Sequence, residues 1–460
     1  MKRTLGEFAR ACGGRLTGAD VAYTDVVSDS RTLAPGQLFV ALRGTHFNGN
    51  DFVAAAAQAG AAGALVDTRQ GVALPQILVS DTQAALSAAA RAWRADFRGP
   101  LIGVAGSNGK TTAKEMTAAI LGQAGSCLAT RGNLNNHIGV PLTLLRLTSE
   151  HRFAVVEMGA NHAGEVAALA SLARPSIGMI TNAGAEHLEG FGSLEGVARA
   201  EGEMVAGLAA GETAVINADD EFAGLWRGLT RARVVTFGVR RPADFSASEV
   251  RASVAADGFR THFRLSAPAG NAAIELRVGG AHNIANALAA AAAAASAGAT
   301  LEQIAVGLTR VRAVAGRLQF KQALGGAWLI DDSYNANPSS MRAAIEVLGT
   351  LGGRRWLVLA DMGELGRFAP EAHADIGEFA RAQGIERLYA TGTLMERAVA
   401  SFGAGAQWFA DSGALIAALS AALATAGPQV RVLIKGSRFN RLERVVAALT
   451  GEAGGATGGH

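Results

Sequence analysis

Apolar and polar residues alternate in blocks along this chain. Short, mainly apolar runs, typical of strands buried on both faces, alternate with stretches compatible with helices. The runs lie at residues 37–41, 64–66, 76–79, 101–105, 153–156, 177–180, 213–216, 328–330, 356–359, 388–390 and 430–434. This order of strands and helices predicts an α/β protein with mostly parallel sheets.

The length of the chain predicts more than one domain, since 460 residues are too many for one ordinary hydrophobic core. We expect a small N-terminal α/β domain at 1–97, a central domain with a mostly parallel sheet at 98–314, a Rossmann-like α/β domain at 315–450 and a flexible tail at 451–460. Two alanine-rich stretches, at 52–62 and 287–295, predict helices. The second is only about half the length of a membrane span, so we expect a close-packed core helix.

The composition indicates a globular protein and argues against a disordered or nucleic-acid-binding one. With 49% hydrophobic and 18% charged residues, the chain suits globular domains rather than disorder. A formal net charge of +3 provides no basic stripe, so we expect no nucleic-acid partner. Cys12 and Cys127 are the two cysteines, which predicts a reducing compartment. The first residues contain no apolar signal segment, so we expect a cytoplasmic protein without membrane insertion.

The most specific motif is a glycine-rich turn that follows the apolar run at 101–105. It consists of Gly106, Ser107, Asn108, Gly109, Lys110, Thr111 and Thr112. Glycines let the backbone approach a phosphate, and the N–H groups and the following helix N-terminus attract anions. Lys110 is placed to reach the β- and γ-phosphates, and the Thr111 hydroxyl to ligate Mg²⁺. The motif predicts ATP binding in a P-loop ATPase-like central domain, although Val104 replaces a Walker glycine and an ordinary strand–helix turn is the alternative.

Polar residues follow several of the predicted strands, where ligands of parallel sheets bind. Glu157 could hold Mg²⁺ near the phosphates, or be a solvated loop carboxylate. His187 follows the next strand along the chain, but histidine is an unusual ligand for Mg²⁺, and a structural role suits its position equally well. The sequence alone leaves both roles open.

Further candidates lie near the alanine-rich helix and in the third domain. Asn283 or Asn286 could pair with an adenine edge, or Asn283 could cap the helix. Arg317 could bind a phosphate through two parallel hydrogen bonds. A carboxylate at Asp331 or Asp332 could accept a ribose hydroxyl, or the two could form a turn.

In order and spacing these motifs resemble those of the Mur ligases, the ATP-dependent amide ligases of peptidoglycan precursor synthesis. The stretches that carry the resemblance are 28–31, 35–42, 106–112, 132–136, 186–192, 282–286, 316–317, 331–338, 361–366 and 435–438, and they span almost the whole chain. Within the family they are similar to the member that adds D-alanyl-D-alanine to the UDP-N-acetylmuramoyl tripeptide. Diaminopimelate-adding members typically carry Asp-Asn-Pro-Arg, which this sequence lacks.

The resemblance implies roles for single residues in binding ATP and Mg²⁺. The catalytic residues would be Lys110, Glu157, His187 and Arg317. The Mg²⁺ ligands would be Thr111, Glu157 and His187. ATP would be bound by the 106–112 loop and Arg317 at the phosphates, by Asn283 at the adenine and by Asp332 at the ribose. The third domain would close over ATP and help to hold the dipeptide.

The resemblance also implies where the substrates lie. The first domain would bind UDP through Ser30 and Arg31, and Asn135 and Asn136 would line the channel for the muramoyl peptide. Tyr334 and Asn335, which belong to the 331–338 motif, would contact substrate as well. We expect a monomer.

The sequence departs from the family pattern at two places. Several members carry a carbamylated lysine that holds a second Mg²⁺, and here Glu201 aligns with it. Glu201 would supply a carboxylate without modification, its shorter side chain acting through water; otherwise it is a solvated helix residue, with Glu203 or no carboxylate at the metal. Residues 48–52 differ from the Asp-Gly-His-Asp pattern of the nucleotide domain, which leaves the UDP contacts open.

Other functions remain as alternatives. The nearest is another ligase of this superfamily, adding diaminopimelate or lysine, or glutamate to folate. A P-loop phosphotransferase or nucleotide switch would leave the first domain unexplained. A non-catalytic ATP-binding module agrees least with the intact Lys110, Thr111 and Glu157.

Overall fold

The computed structural model describes residues 3–255 and 258–452, which form three α/β units, each with a sheet of its own. The predicted fold class is confirmed. The domain limits at 97, 314 and 450 stay predictions, and residues 453–460 of the predicted tail lie outside the described residues. None of the helices in the described ranges combines the length and apolar character needed to cross a membrane.

The N-terminal unit has a five-stranded sheet of order β1-β5-β4-β3-β2, in which only the β1–β5 pair is antiparallel. Its elements are α1 (Leu5–Cys12), β1 (Arg15–Thr17), β2 (Val26–Val27), β3 (Leu38–Val40), α2 (Val53–Gln58), β4 (Gly63–Val66), β5 (Gln76–Leu78) and α3 (Thr82–Asp96). The helix predicted at 52–62 is too long. Residues Gly49–Phe52 form a 3₁₀ turn, and Gly60 adopts a φ of 84° just beyond α2, a left-handed conformation that ends helices.

The central unit has a nine-stranded sheet of order β14-β13-β12-β11-β10-β9-β6-β8-β7. Its strands are β6 (Leu101–Ala105), β7 (Cys127–Ala129), β8 (Phe153–Glu157), β9 (Ile177–Ile180), β10 (Thr213–Asn217), β11 (Arg233–Gly238), β12 (Phe245–Ala255), β13 (Gly258–Ala267) and β14 (Gly270–Leu276). Its helices are α4 (Lys110–Leu121), α5 (Gly139–Leu145), α6 (Glu165–Ala173), α7 (Leu188–Phe191), α8 (Leu194–Ala206), α9 (Ala223–Leu229), α10 (Ala281–Ser296) and α11 (Leu301–Arg310). Strands β6 to β11 pair in parallel, whereas β12, β13 and β14 form an antiparallel extension.

The alanine-rich stretch at 287–295 lies in α10, as predicted, and the alanines from 289 to 294 have no exposed surface. Alanine side chains let neighbouring helices approach closely, and α10 packs against α4. Because α4 begins at the glycine-rich turn, this packing fixes the position of that turn relative to the start of α10.

The C-terminal unit has a six-stranded sheet of order β15-β16-β20-β17-β18-β19, parallel except for the β15–β16 pair. Its strands are β15 (Gln319–Gln322), β16 (Trp328–Asp332), β17 (Arg354–Ala360), β18 (Arg387–Thr391), β19 (Ala406–Phe409) and β20 (Val430–Lys435). Its helices are α12 (Pro338–Gly349), α13 (Ala369–Ala382), α14 (Met395–Phe402), α15 (Ser412–Ala424) and α16 (Glu443–Thr450). The carboxyl ends of β16 and β20 contribute side chains to the cleft described below.

Candidate active site

The glycine-rich turn joins the fully buried strand β6 to helix α4. Gly106 has a φ of 121°, and a Cβ atom there would lie 2.1 Å from the Thr181 hydroxyl oxygen. Gly109, the residue before α4, has a φ of 84°, and a Cβ atom there would lie 2.2 Å from Asn286 Oδ1. Both positions therefore need glycine, for backbone conformation and for space.

Lys110 is the first residue of α4, and its ammonium folds back over the turn. Nζ donates to the carbonyl oxygens of Gly106 at 2.5 Å and Ser107 at 3.1 Å. Burial lowers the pKa of Lys110, but three nearby carboxylates outweigh it and hold the pKa above its ordinary value. Those carboxylates belong to Glu186, Glu201 and Glu157. The lysine therefore stays charged, and its charge is balanced from within the protein.

Glu157 is the last residue of β8 and only 2% exposed, so the solvated-loop alternative is wrong. Its Oε1 accepts a hydrogen bond from Asn135 at 2.8 Å. Its Oε2 is buried without a hydrogen-bond partner among the described residues, and the Lys114 ammonium lies 3.9 Å away. A buried carboxylate oxygen that lacks a donor, at the wall of a cavity, suits a hard divalent cation.

His187 lies in the loop that follows β9, directly before α7, with a φ of 52°. Its Nδ1 is 2.5 Å from Oε2 of Glu364, which belongs to the C-terminal unit. Its Nε2 is 3.7 Å from Oε1 of Glu186. Burial lowers the pKa of His187, but the hydrogen bond to Glu364 and the charge of Glu186 outweigh it, so the pKa is raised.

Glu201, on α8, is 5% exposed and is not a solvated helix residue. Its Oε2 accepts a hydrogen bond from the Gly106 N–H at 2.6 Å, so the carboxylate supports the turn from within the domain. Burial, the largest cause, raises the pKa of Glu201 to about 7. Glu203 lies elsewhere, accepting hydrogen bonds from Gly164 and Ala167 at the start of α6.

The predicted metal ligands are not gathered into one cluster. The part of the chain that the structure describes contains no group of three or more His, Cys, Asp or Glu side chains spaced to hold one metal ion. Glu157, His187 and Thr111 line the same cavity, whereas Glu201 is not part of its wall. Mg²⁺ commonly takes one or two protein carboxylates and completes its shell with water and phosphate oxygens, so this arrangement still suits it.

The C-terminal unit forms the opposite wall through Arg317 and Asp332. The Arg317 guanidinium donates to the Thr111 hydroxyl at 3.1 Å and stacks 4.3 Å from the centroid of the Tyr334 ring. Asp332 accepts from the Leu318 N–H at 3.0 Å and pairs with the Lys435 ammonium at 2.6 Å. The turn expected as an alternative at Asp331 and Asp332 is absent, since both residues end strand β16.

Asn283 does not cap α10, so that alternative is wrong. Gly280 precedes the helix and makes no side-chain cap. The Asn283 amide instead donates to the Gly279 carbonyl oxygen at 2.7 Å and accepts from the Asn286 amide at 3.1 Å. The two amides form a buried pair beside Gly109 at the cavity wall.

Two asparagines complete the contact between the central and C-terminal units. Asn337, which caps α12, donates to Asn108 Oδ1 at 2.9 Å, and the Asn108 amide donates to the Ser339 hydroxyl at 3.0 Å. These residues and the Arg317–Thr111 pair lie in the wall of an open cavity of about 850 Å³ between the two units. The predicted site residues in its wall are Ser107, Asn108, Gly109, Lys110, Thr111, Thr112, Asn135, Asn136, Glu157, His187, Asn283, Arg317, Asp332, Tyr334 and Asn335.

Four predicted residues lie outside that wall: Gly106, Glu201, Ser30 and Arg31. Ser30 and Arg31 belong to the N-terminal unit, in the loop between β2 and β3. The Arg31 side chain is 76% exposed and pairs with Asp29 at 2.7 Å. The two predicted UDP contacts therefore lie in a different unit from the phosphate loop.

Comparison with known proteins gives the family. The chain is 45% identical to the UDP-N-acetylmuramoyl-tripeptide–D-alanyl-D-alanine ligase of Escherichia coli strain K12, over 97% of this chain and 98% of that relative. The chain belongs to the Mur ligase family. Family profiles agree along its length: the Mur ligase middle domain matches residues 104–294, the Mur ligase glutamate ligase domain 316–438, and the Mur ligase family catalytic domain 22–94. The resemblance inferred from the motifs is confirmed.

Solved structures of Mur ligases share this fold. MurF from Acinetobacter baumannii superimposes with a TM-score of 0.89 at 33% identity, covering 98% of this chain and 99% of that one. MurF from Thermotoga maritima in complex with ADP superimposes with a TM-score of 0.80 at 26% identity, covering 93% and 97%. The three-domain α/β architecture of this Mur ligase is therefore that of the MurF structures.

Three charged residues of this Mur ligase received no role from the sequence. Lys435 ends β20 and pairs with Asp332. Its position at the carboxyl end of a parallel strand, where ligands bind, was the sequence signal that could have identified it as a site residue. Lys114 has no exposed surface and donates to the Thr130 carbonyl oxygen at 2.8 Å, and Thr130 in turn accepts from the Glu157 N–H. Glu364 lies in the noted 361–366 stretch, but its contact with His187 depends on how the domains pack.

Proposed function

We propose that this Mur ligase adds D-alanyl-D-alanine to the UDP-N-acetylmuramoyl tripeptide in cytoplasmic peptidoglycan precursor synthesis, with hydrolysis of ATP to ADP and phosphate. The observation that carries the proposal is the 45% identity, over nearly both whole chains, to the E. coli enzyme of that name. A phosphate loop that faces a second domain across a cavity supports the same function, because the reaction must hold ATP and two further substrates at once.

The chemistry needs no protein nucleophile, since ATP activates the acyl group. The tripeptide carboxylate oxygen attacks the γ-phosphorus, ADP leaves, and an acyl phosphate forms. The free amine of the dipeptide then attacks the carbonyl carbon, and the tetrahedral intermediate loses a proton and phosphate to give the amide. Catalysis rests on positioning and on charge stabilisation.

Within the cavity, Lys110 and the N–H groups at the start of α4 would bind the phosphates, and Arg317 would approach them from the C-terminal domain. We assign Mg²⁺ to the free oxygen of Glu157, the Thr111 hydroxyl and His187; when bound it neutralises phosphate charge. Glu201 supports the loop through Gly106 and would meet a second Mg²⁺ only through water.

The remaining proposed roles concern the nucleoside part of ATP and the other substrates. Asn283 is proposed for adenine and Asp332 for ribose, where Lys435 already orients the carboxylate. The substrate residues are proposed to be Asn135 and Asn136 for the muramoyl peptide, Tyr334 and Asn335 in the C-terminal wall, and Ser30 and Arg31 for UDP. We also propose that the protein is a monomer and that its domains meet near residues 97 and 314.

Phosphate release in a coupled assay tests the function directly. With Mg²⁺ present, phosphate should appear only when ATP, the UDP-muramoyl tripeptide and D-alanyl-D-alanine are all supplied, and omission of any one should stop it. Diaminopimelate, lysine and glutamate serve as alternative acceptors. Turnover of one of them at a rate equal to that of the dipeptide would assign the chain to another ligase of the superfamily.

A further inference from the structure

Glu364 connects the C-terminal domain to a residue of the proposed metal site. It follows β17, in the 361–366 stretch, and its Oε2 lies 2.5 Å from His187 Nδ1. Its backbone carbonyl oxygen also accepts a hydrogen bond from the Glu189 N–H at 3.3 Å. Both contacts cross from the C-terminal domain to the loop and helix that follow β9, so they can exist only while these domains are together.

The loop that carries Glu364 is anchored on both sides of this residue. The Met362 N–H donates to the buried His373 imidazole at 2.9 Å, the Gly363 N–H donates to the Ser437 hydroxyl at 3.0 Å, and Leu365 is 2% exposed. Glu364 itself has a side chain that is 60% exposed. The loop therefore holds a carboxylate outward, towards the central domain.

Both partners have unusual backbone conformations. The φ angle is 62° at Glu364 and 52° at His187, in the left-handed region that residues other than glycine seldom adopt. Such conformations persist where surrounding contacts hold them, and they concentrate at functional sites. Here they direct the two side chains towards each other across the domain boundary.

A carboxylate on one imidazole nitrogen is the usual support of a histidine that binds a ligand through the other nitrogen. With Nδ1–H donated to Glu364, the Nε2 atom of His187 carries the free lone pair, and His187 lines the cavity that contains the phosphate loop. We propose that Glu364 is a positioning residue that orients His187 when the C-terminal domain closes, and so couples closure to the binding of Mg²⁺ with nucleotide. This inference rests on the proposed function for the identity of the ligand.

The test measures binding rather than turnover. Mg²⁺ is titrated into the full chain with a non-hydrolysable ATP analogue, and the midpoint is followed by calorimetry. Glu364→Ala should weaken Mg²⁺ binding about 10- to 100-fold, as loss of an outer-shell partner does. Glu364→Gln keeps an oxygen that can accept from Nδ1–H, and its loss should be smaller. Glu371→Ala is the matched control, because Glu371 is exposed in the same domain and has no ion-pair partner among the described residues; its midpoint should be unchanged.

A double-mutant cycle separates positioning from a general effect. In a His187→Ala background, Glu364→Ala should cause no further weakening, since Glu364 acts only through that imidazole. Equal weakening in both backgrounds, or a Glu364→Ala midpoint equal to that of Glu371→Ala, would overturn the proposal. Melting temperatures confirm that each variant is folded. The titration contains neither peptide substrate, so failure of the ligase assay and failure of this inference are distinguishable.

Discussion

The buried carboxylate of Glu201 predicts an unusual dependence of stability on pH. Glu201→Gln keeps the size of the side chain and an oxygen that can accept from the Gly106 N–H, but removes the ionisable group. The wild-type residue is 5% exposed, and burial raises its pKa from the ordinary 4.5 to about 7. The comparison is made in EDTA, so that no divalent cation stabilises the ionised form.

The sign follows from proton binding in the two states. Between about pH 4.5 and pH 7 the folded protein keeps the proton that the unfolded chain has lost, so the free energy of unfolding falls as pH rises through this window. Each pKa unit corresponds to about 1.4 kcal/mol, so the loss approaches ~3 kcal/mol by pH 8 and is under ~1 kcal/mol at pH 5. Glutamine has no such loss. The variant should therefore gain stability relative to the wild type as the pH increases.

Hydrogen exchange of the most protected amides in α8 measures this difference, since the two proteins can be compared at the same pH. At pH 8 the variant should exchange about 100-fold more slowly than the wild type, whereas at pH 5 the rates should differ by less than about fivefold. Glu195→Gln is the matched control, because Glu195 lies on the same helix with a side chain that is 60% exposed. Equal exchange of wild type and Glu201→Gln at pH 8 would refute the reasoning, because it would mean that the buried carboxylate ionises at no cost.

Three further predictions concern the phosphate loop and domain closure. Lys110→Ala should lower ligation at saturating ATP by ~100-fold or more, through loss of a charge contact in the transition state, in a variant that circular dichroism shows to be folded; near-normal turnover would contradict the role. Gly106→Ala should destabilise the fold by about 1–3 kcal/mol in urea unfolding, because of its left-handed φ and the Thr181 hydroxyl, whereas Gly207→Ala, with open space around it, serves as the control. In solution the free protein should open and break the Arg317–Thr111 and His187–Glu364 contacts, so the radius of gyration from small-angle scattering should decrease when an ATP analogue and the UDP substrate bind, with Gly316 (φ 69°) as the hinge; an unchanged radius would argue against closure.

The sequence was sufficient for features encoded by neighbouring residues. The phosphate loop is a contiguous motif, and its strand and helix follow from an apolar run on one side and helix formers on the other. Most of the parallel strands were predictable for the same reason, being mainly apolar runs, but the parallel strands β2, β7, β11 and β19 were not predicted. The antiparallel extension was not, because most positions in the second half of β12 are exposed and carry no buried run.

Contacts between residues far apart in the chain could not be predicted from the sequence. Arg317 and Thr111 are separated by 206 positions, and Asp332 and Lys435 by 103, so no local pattern links them. Glu364 was noted only as part of a motif, since its partner is set by the packing of two domains. Asn283 was assigned a possible capping role from its position. In the structure Gly280 is the residue before the helix, and the Asn283 amide donates a hydrogen bond to the Gly279 carbonyl oxygen.

The charges around the phosphate loop would favour a nucleotide that enters together with a divalent cation. Glu201 accepts a hydrogen bond from the Gly106 N–H from within the domain, and Glu157 presents at the cavity wall an oxygen that has no donor among the described residues. Lys114, fully buried behind Glu157, offsets part of that negative charge. A triphosphate that entered alone would gain from Lys110 and the N-terminus of α4 but would meet the Glu157 carboxylate directly. A divalent cation held by Glu157 would neutralise part of the phosphate charge, so the residue that disfavours free ATP would favour its magnesium complex.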